Sequence, residues 1–233
     1  MSVNIDTVYQ RVLNIANKEQ RGYITPQEFN LFANQAQMDI FEQYFYDLNQ
    51  FGRLPGNDST YSDMIDLLQE KVDVFEKFRQ TVTMSALGVG ALPTNYRMGE
   101  LYYLNSGNYV EVEKLQQNEL HHYINSPLTS PSVSLPIYVN TSASGIQIYP
   151  TSITSGVTCN YIARPATVKW AYTVVFEQSM YNANNSVNFE LHDSEETELV
   201  IKILSLAGIM LKDPNMYQVA STEDQKSTQQ EKQ

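Results

Sequence analysis

The apolar residues of this chain change their spacing near residue 74, and that change limits the folds open to it. Before it they recur at steps of three and four, as on a helix resting on a core. From there to about residue 163 they alternate, as on a strand with one buried face. Helices and strands in separate blocks specify an α+β fold.

In the first block, Ile5, Val8, Val12, Leu13 and Ile15 predict a helix over 5–18, stopped by the polar run 18–22 and its terminal glycine. Thr25-Pro26-Gln27-Glu28 then forms a capping box with proline at the first helical position. The helix it opens is predicted to reach about Phe51. Phe29, Phe32, Ala33, Ala36, Ile40, Tyr44, Leu48 and Phe51 share one face, which Phe41 and Phe45 widen. So broad a face needs more than one neighbour, which makes Phe29, Phe41, Phe45 and Phe51 candidate subunit contacts. A polar loop over 52–59 precedes a third helix over 62–70, with Met64, Ile65, Leu67 and Leu68 inward.

In the second block, 74–84 reads as a strand. Leu101–Leu104 and Tyr109–Val112 flank Asn105-Ser106-Gly107-Asn108, a hairpin turn. Residues 115–124 read as a short helix or turn. Pro127, Pro131 and Pro136 keep the link 126–136 out of a sheet centre. Residues 137–140 and 146–149 make a second hairpin, and 158–163 a further strand. Together they predict an antiparallel sheet curled into a sandwich or barrel. After a loop over 181–188, Asp193 as N-cap and Glu196 three residues on open a last helix over 195–212. Leu199, Ile203, Leu206 and Met210 point inward, and Asp213-Pro214 ends it. The predicted organisation is a helical region (1–72), a β domain (73–175), a loop and C-terminal helix packing on the helical region (176–214) and an extended polar tail (215–233).

The chemistry-bearing residues are sparse. His121 and His122 are adjacent and cannot make the i, i+4 pair that grips zinc, and His192 sits among acids where solvation is expected. No nucleophile elbow, phosphate-binding loop or dinucleotide fingerprint occurs, and Gly88-Val89-Gly90 is too short to cradle a phosphate. Asp63, Asp66, Glu195, Glu196 and Glu198 are expected on solvated helix faces or at caps. Cys159 stands alone, so no intrachain disulfide forms, and an inert buried thiol is expected. No catalytic residue, metal or cofactor is therefore expected.

What the chain does have is 16 Tyr and 9 Phe against one Trp. Tyrosine suits surfaces that become buried on assembly. Arg53, Arg79, Arg97 and Arg164 are suited to carboxylates across an interface. The net charge of −11 and pI near 4.7 disfavour sequence-reading of DNA, whose phosphates such a chain repels. Residues 1–6 have neither the basic nor the apolar part of a signal peptide, and no stretch is apolar enough to span a membrane. Synthesis and use in a cytoplasm are expected.

Three parts of the chain carry a family likeness. They are 8–48 with its Thr25-Pro26-Gln27-Glu28-Phe29-Asn30 start, the β region from Leu92-Pro93 through Ser126-Pro127-Leu128-Thr129-Ser130-Pro131 to Arg164-Pro165, and the closing helix 199–214. In this order the chain resembles the head-to-tail connector proteins of short-tailed phages, the adaptor or ring proteins below the portal, most closely those of crAss-like phages. The resemblance implies a virion protein made in the host cytoplasm and forming a ring of twelve copies. It implies portal and other connector or tail proteins as partners, and DNA passing through the bore without sequence-specific binding. The polar tail, through Glu223, Asp224 and Lys226, is expected to lie along another subunit. Two other classes are open on the residues alone. One is a receptor- or carbohydrate-binding β module of a phage tail, which the Tyr-rich strands would allow. The other is an enzyme whose site assembles across subunits.

Overall fold

The computed structural model describes residues 2–18, 24–51, 59–142, 144–176 and 178–210, together with Thr222, Gln225 and Lys226. The chain divides into two compact units. One is Met1–Val74 with Pro165–Gln233, and the other is Phe75–Arg164. The fold is α+β.

The first unit is built on α1 (Ile5–Lys18), α2 (Pro26–Phe51), α3 (Ser59–Asp73) and α5 (Glu196–Met210). The capping box that opens α2 forms as its sequence dictates. The Glu28 amide donates to Thr25 Oγ1 at 3.3 Å, and Glu28 Oε2 accepts from the Thr25 amide at 2.8 Å. The Thr25 hydroxyl also donates to Oε2, at 2.7 Å, and this bond, with the one from the Thr25 amide, holds the Glu28 carboxyl below the usual carboxylate range. α2 packs on α3 and α5, and α1 packs on α5. The core takes Ile5, Val8, Val12 and Ala16 from α1, Phe29, Ala33, Ala36, Ile40 and Phe41 from α2, and Leu199, Ile203 and Ala207 from α5. Ile15, expected on the buried stripe of α1, is 44% exposed, and Tyr9 takes that face instead. Leu67, expected inward on α3, is exposed, while Val72 is buried.

An extended segment, 166–170, runs against α2 and is held by a row of side-chain amides. Asn30 exchanges two bonds with the Trp170 backbone, at 2.7 and 3.2 Å. Asn34 does the same with Val168, at 2.9 Å each way. Gln37 donates to the Ala166 carbonyl at 2.9 Å and accepts from the Glu190 amide at 3.3 Å. Steps of four and three keep these residues on one helical face, while every second residue of an extended chain offers its peptide groups to the same edge. The intervening Lys169 exchanges backbone bonds with Val187 on the opposite edge, at 3.2 and 2.9 Å. Residues 165–175, expected in the β region, therefore belong with the helices. Further on, β9 (Tyr172–Val175) and β10 (Gln178–Tyr181) form an isolated two-stranded hairpin that periodicity alone does not predict.

The second unit is one eight-stranded sheet: β1 (Glu76–Thr81), β2 (Thr83–Met84), β3 (Val89–Ala91), β4 (Arg97–Asn105), β5 (Asn108–Lys114), β6 (Ile137–Asn140), β7 (Gly145–Tyr149) and β8 (Val157–Ile162). Their order is β1-β8-β4-β5-β6-β7-β3-β2. The edge strands β1 and β2 are separated by Val82 alone, whose amide donates to the Val157 carbonyl at 3.0 Å. A sheet whose edges lie one residue apart must curl round on itself, so it is barrel-like and nearly closed. Its interior holds Val82, Leu101, Val112, Tyr138, Ile146, Ile148, Ile153, Val157 and Cys159.

The expectation of a purely antiparallel sheet is corrected at one junction, where β5 and β6 pair in parallel. A parallel pair needs a crossover connection. The link between them contains α4 (Leu120–Asn125) and the proline-rich stretch. α4 explains why Leu-Pro-Ile-Tyr-Val is apolar throughout. Tyr138 faces the barrel interior, while Ile137 and Val139 pack with Leu115, Leu120 and Tyr123 on the other side. The β4–β5 turn forms as predicted, with φ of +51° at Ser106 and +94° at Gly107.

The amide row yields a stability prediction. Asn34→Leu leaves the amide and carbonyl of Val168 without these partners, at about 1–3 kcal/mol for each buried group. Urea unfolding of the variant is expected to show a loss of at least about 2 kcal/mol.

Candidate assembly surfaces

The apolar face of α2 is used inside the chain. Phe29 and Phe41 are fully buried, which corrects their assignment as subunit contacts. Phe29 meets Tyr9 edge-on at 4.8 Å, and Phe41 meets the half-buried Phe45 at 5.0 Å. The partners that so broad a face demanded are supplied by α1, α3, α5 and the 166–170 segment. What α2 presents outward is Leu31 and Tyr46, 71% and 64% exposed. Phe51 ends α2, but its side chain, like Arg53 and Glu223, lies outside the described residues. Of the tail, Thr222, Gln225 and Lys226 are described, and they are helical rather than extended. Gln, Lys and Glu are good helix formers, and the polar composition hid this.

A more exposed surface is the β9–β10 hairpin. Val174 is 68% exposed, Met180 56%, and Phe176 at the turn 97%. Phe176 also has φ of +50°, a conformation uncommon for an aromatic residue. At the hairpin base Tyr172 pairs with Tyr181 across the strands, and both rings stack with Trp170, at 5.9 and 5.7 Å. Trp170 also meets Tyr9 at 4.1 Å and donates from Nε1 to Asp6 at 2.9 Å. These aromatics line an open groove of about 740 Å³, edged by Gln10, Gln27 and Gln178.

On the β unit, Lys77 on β1 and Arg97 on β4 flank β8 with their side chains on opposite faces of the sheet. Lys77 is opposite Tyr161, Arg97 is opposite Ile162 on the other flank of β8, and Arg164 follows two residues on. Both flanking ladders slip register here, between Lys77 and Gln80 and between Met98 and Leu101. Asn160 bridges the gap by accepting from the Arg79 amide at 3.0 Å. Gly99 is needed, because a Cβ there would lie 2.9 Å from the Asn160 carbonyl oxygen. The irregularity opens a cavity of about 190 Å³ between Lys77, Arg97, Asn160 and Tyr161. Beside it the Arg79 guanidinium lies over the rings of Phe78 and Tyr109, 4.9 and 4.5 Å from their centres. All four basic residues are exposed.

Sequence reasoning missed one charged pair. Glu195, expected at a solvated cap, is buried, and its Oε1 lies 2.6 Å from Lys71 Nζ. Burial pushes the Glu195 carboxyl up, but the bond and charge of Lys71, with bonds to Glu198 and Ser194, outweigh it and hold the carboxyl below its ordinary value. No local signal pointed to it, since the partner lies on another helix. The cap of the last helix is also reassigned. Residues Asp193–Glu195 form a single 3-10 turn before α5, and His192 Nδ1, not Asp193, accepts from the Ser194 amide at 3.3 Å. Burial raises the Cys159 thiol, as for an inert core cysteine. Among the described residues no group of His, Cys, Asp and Glu could hold a metal ion, and no helix is long and apolar enough to cross a membrane. No protein-family model matches the chain, and no curated protein does.

Two outcomes follow. Phe41→Ala is expected to destabilise the helical unit by about 3–5 kcal/mol in chemical denaturation, and Leu31→Ala by no more than about 0.5 kcal/mol. Because the folded Glu195 carboxyl titrates below its unfolded value, its contribution is complete above the unfolded pKa. It is lost as pH falls through the folded one. Thermal unfolding scanned downward from about pH 6 should show the loss setting in below about pH 4.5. Glu195→Gln should flatten that part of the profile.

Proposed function

We propose that this chain is a structural virion protein that forms a ring in a phage head-to-tail connector. Copies of itself, the portal and tail components are its partners, and DNA passes through its bore. The observation that carries this reading is the β9–β10 hairpin. Two strands alone are marginal in water, and these expose Val174, Phe176 and Met180. Apolar surface of this kind marks an interaction site, and repetition round a ring would cover it in every copy. The resemblance of the helical pair, the β region and the closing helix to connector proteins supports the same reading.

The aromatic groove supports a second reading, a carbohydrate-binding component of a tail. Tyrosine rings suit the apolar face of a sugar and the glutamine amides its hydroxyls, and none of the lining side chains is charged. Trp170 is the chain's one tryptophan, so its fluorescence reports directly on saccharide binding there.

The test is assembly. Purified protein, alone and with the portal of the same phage, is expected to give rings in negative-stain images and a matching mass in solution. Phe176→Ser should prevent ring formation and leave the thermal transition of the monomer within about 2 °C, since exposed substitutions change stability little. Protein that stays monomeric in both preparations overturns the proposal.

A further inference from the structure

The β9–β10 hairpin has open backbone groups along both of its outer edges. Antiparallel pairs alternate between residues that exchange both backbone bonds and residues whose peptide groups face away from the partner strand. The Asn182 amide donates to the Ala171 carbonyl at 2.8 Å, so 171 and 182 are a bonded pair. The bonded pairs that follow are Thr173 with Met180 and Val175 with Gln178. The peptide groups of Tyr172 and Val174 therefore face out from β9, and those of Ser179 and Tyr181 face out from β10.

The β9 edge continues one already described. Val168 and Trp170 turn their peptide groups to the same side, where Asn34 and Asn30 of α2 satisfy them. Beyond Trp170 that support ends. Among the described residues, no hydrogen bond reaches the outward groups of Tyr172, Val174, Ser179 or Tyr181. Open strand edges are ordinarily blunted by lysine, proline or a bulge. Residues 170–181 contain no Lys, Arg, Pro or Gly, and the β9–β10 register is unbroken. Tyr172, Thr173, Val174 and Val175 all favour strands. Two strands alone are marginal, and a further strand stabilises them.

The two edges complement each other. On each, the outward groups recur at every second residue, and the two strands run in opposite directions, as antiparallel pairing requires. A separate extended peptide would cover one edge and leave the other open. Copies that pair β10 with β9 of the next copy in a closed ring leave no edge open at all. Glu177 is the one charged residue in 170–181, so this contact spares copies with a net charge of −11 from bringing many like charges together.

We infer that β10 of each copy pairs with β9 of the next, so that the hairpins form one continuous antiparallel band round the ring. The contact is heterologous, with a different edge on each side, which is the geometry that closes into a ring. The inference rests on the ring reading above and names the contact through which the ring closes.

Proline tests it, because at an outward position it removes the N–H that the next copy needs and no bond of the hairpin itself. Val174→Pro blocks the β9 edge and Ser179→Pro the β10 edge. Each variant alone should be monomeric where the parent forms rings, its assembly midpoint rising by about tenfold or more. Mixed in equal amounts, the two keep one good edge each and should give dimers but no rings. Val174→Thr keeps the N–H and should assemble like the parent. Trp170 stacks with Tyr172 and Tyr181, so its fluorescence checks the hairpin in every variant. In the unaltered chain, hydrogen exchange at the Val174 and Ser179 amides should slow on assembly, a readout that stands even where proline disturbs the hairpin. Proline variants that form rings like the parent overturn the inference. So do Val174 and Ser179 amides that exchange as fast in the ring as in the monomer. Either proline variant dimerising by itself also overturns it, since like edges would then be pairing. A parent chain that never forms rings defeats the ring reading itself, an outcome distinct from these.

Discussion

The helical unit depends on the bonds between the α2 amides and the extended segment 166–170. That segment enters the core through Val168 and Trp170, both almost fully buried, so its peptide groups cannot rely on water. A sheet would satisfy them with a neighbouring strand. Here Asn30, Asn34 and Gln37 act as one edge of that strand and Val187 as the other. After the β unit the chain thus rejoins the helices along α2. It positions Trp170 against Tyr9 and carries the β9–β10 hairpin out beyond it.

The β unit solves the same problem differently. Its sheet leaves two edges, and placing both on one continuous stretch of chain, β1-Val82-β2, nearly removes them. The register slips beside Asn160 fall at one end of that arrangement. Bulges of this kind bend strands and re-aim side chains, and the residues at the slips are Phe78 and Arg79 on β1 and Gly99 and Glu100 on β4.

Neither unit spends its apolar residues as a broad interface. The large aromatics of α2 are consumed by the core, and the exposed apolar surface is displaced to a hairpin tip. A chain that repels its own copies is suited to contacts made by small protruding elements, which limit the area over which like charges meet. That is what the proposed ring requires.

Much of the fold was legible in the sequence because it is written in local terms. The switch from helical to strand period separated α1–α3 from the sheet. Thr25-Pro26-Gln27-Glu28 marked the start of α2, and Asn105-Ser106-Gly107-Asn108 marked the β4–β5 turn, since caps and turns are settled by a few adjacent residues. The surfaces were not legible in the same way. Hydrophobic spacing shows that Phe29 and Phe41 lie on one face but does not say whether that face meets this chain or another. Burial answers it, and only the tertiary structure sets burial. The Asn30, Asn34 and Gln37 row was visible as a spacing, yet its meaning lay in a segment some 130 residues away, at sequence separations from 129 to 140. Glu195 read as a solvated acid until α3 brought Lys71 to it. Local sequence determined which elements form. Contacts between residues far apart in the chain decided which faces remain exposed, because pairing and desolvation depend on neighbours that no local pattern contains.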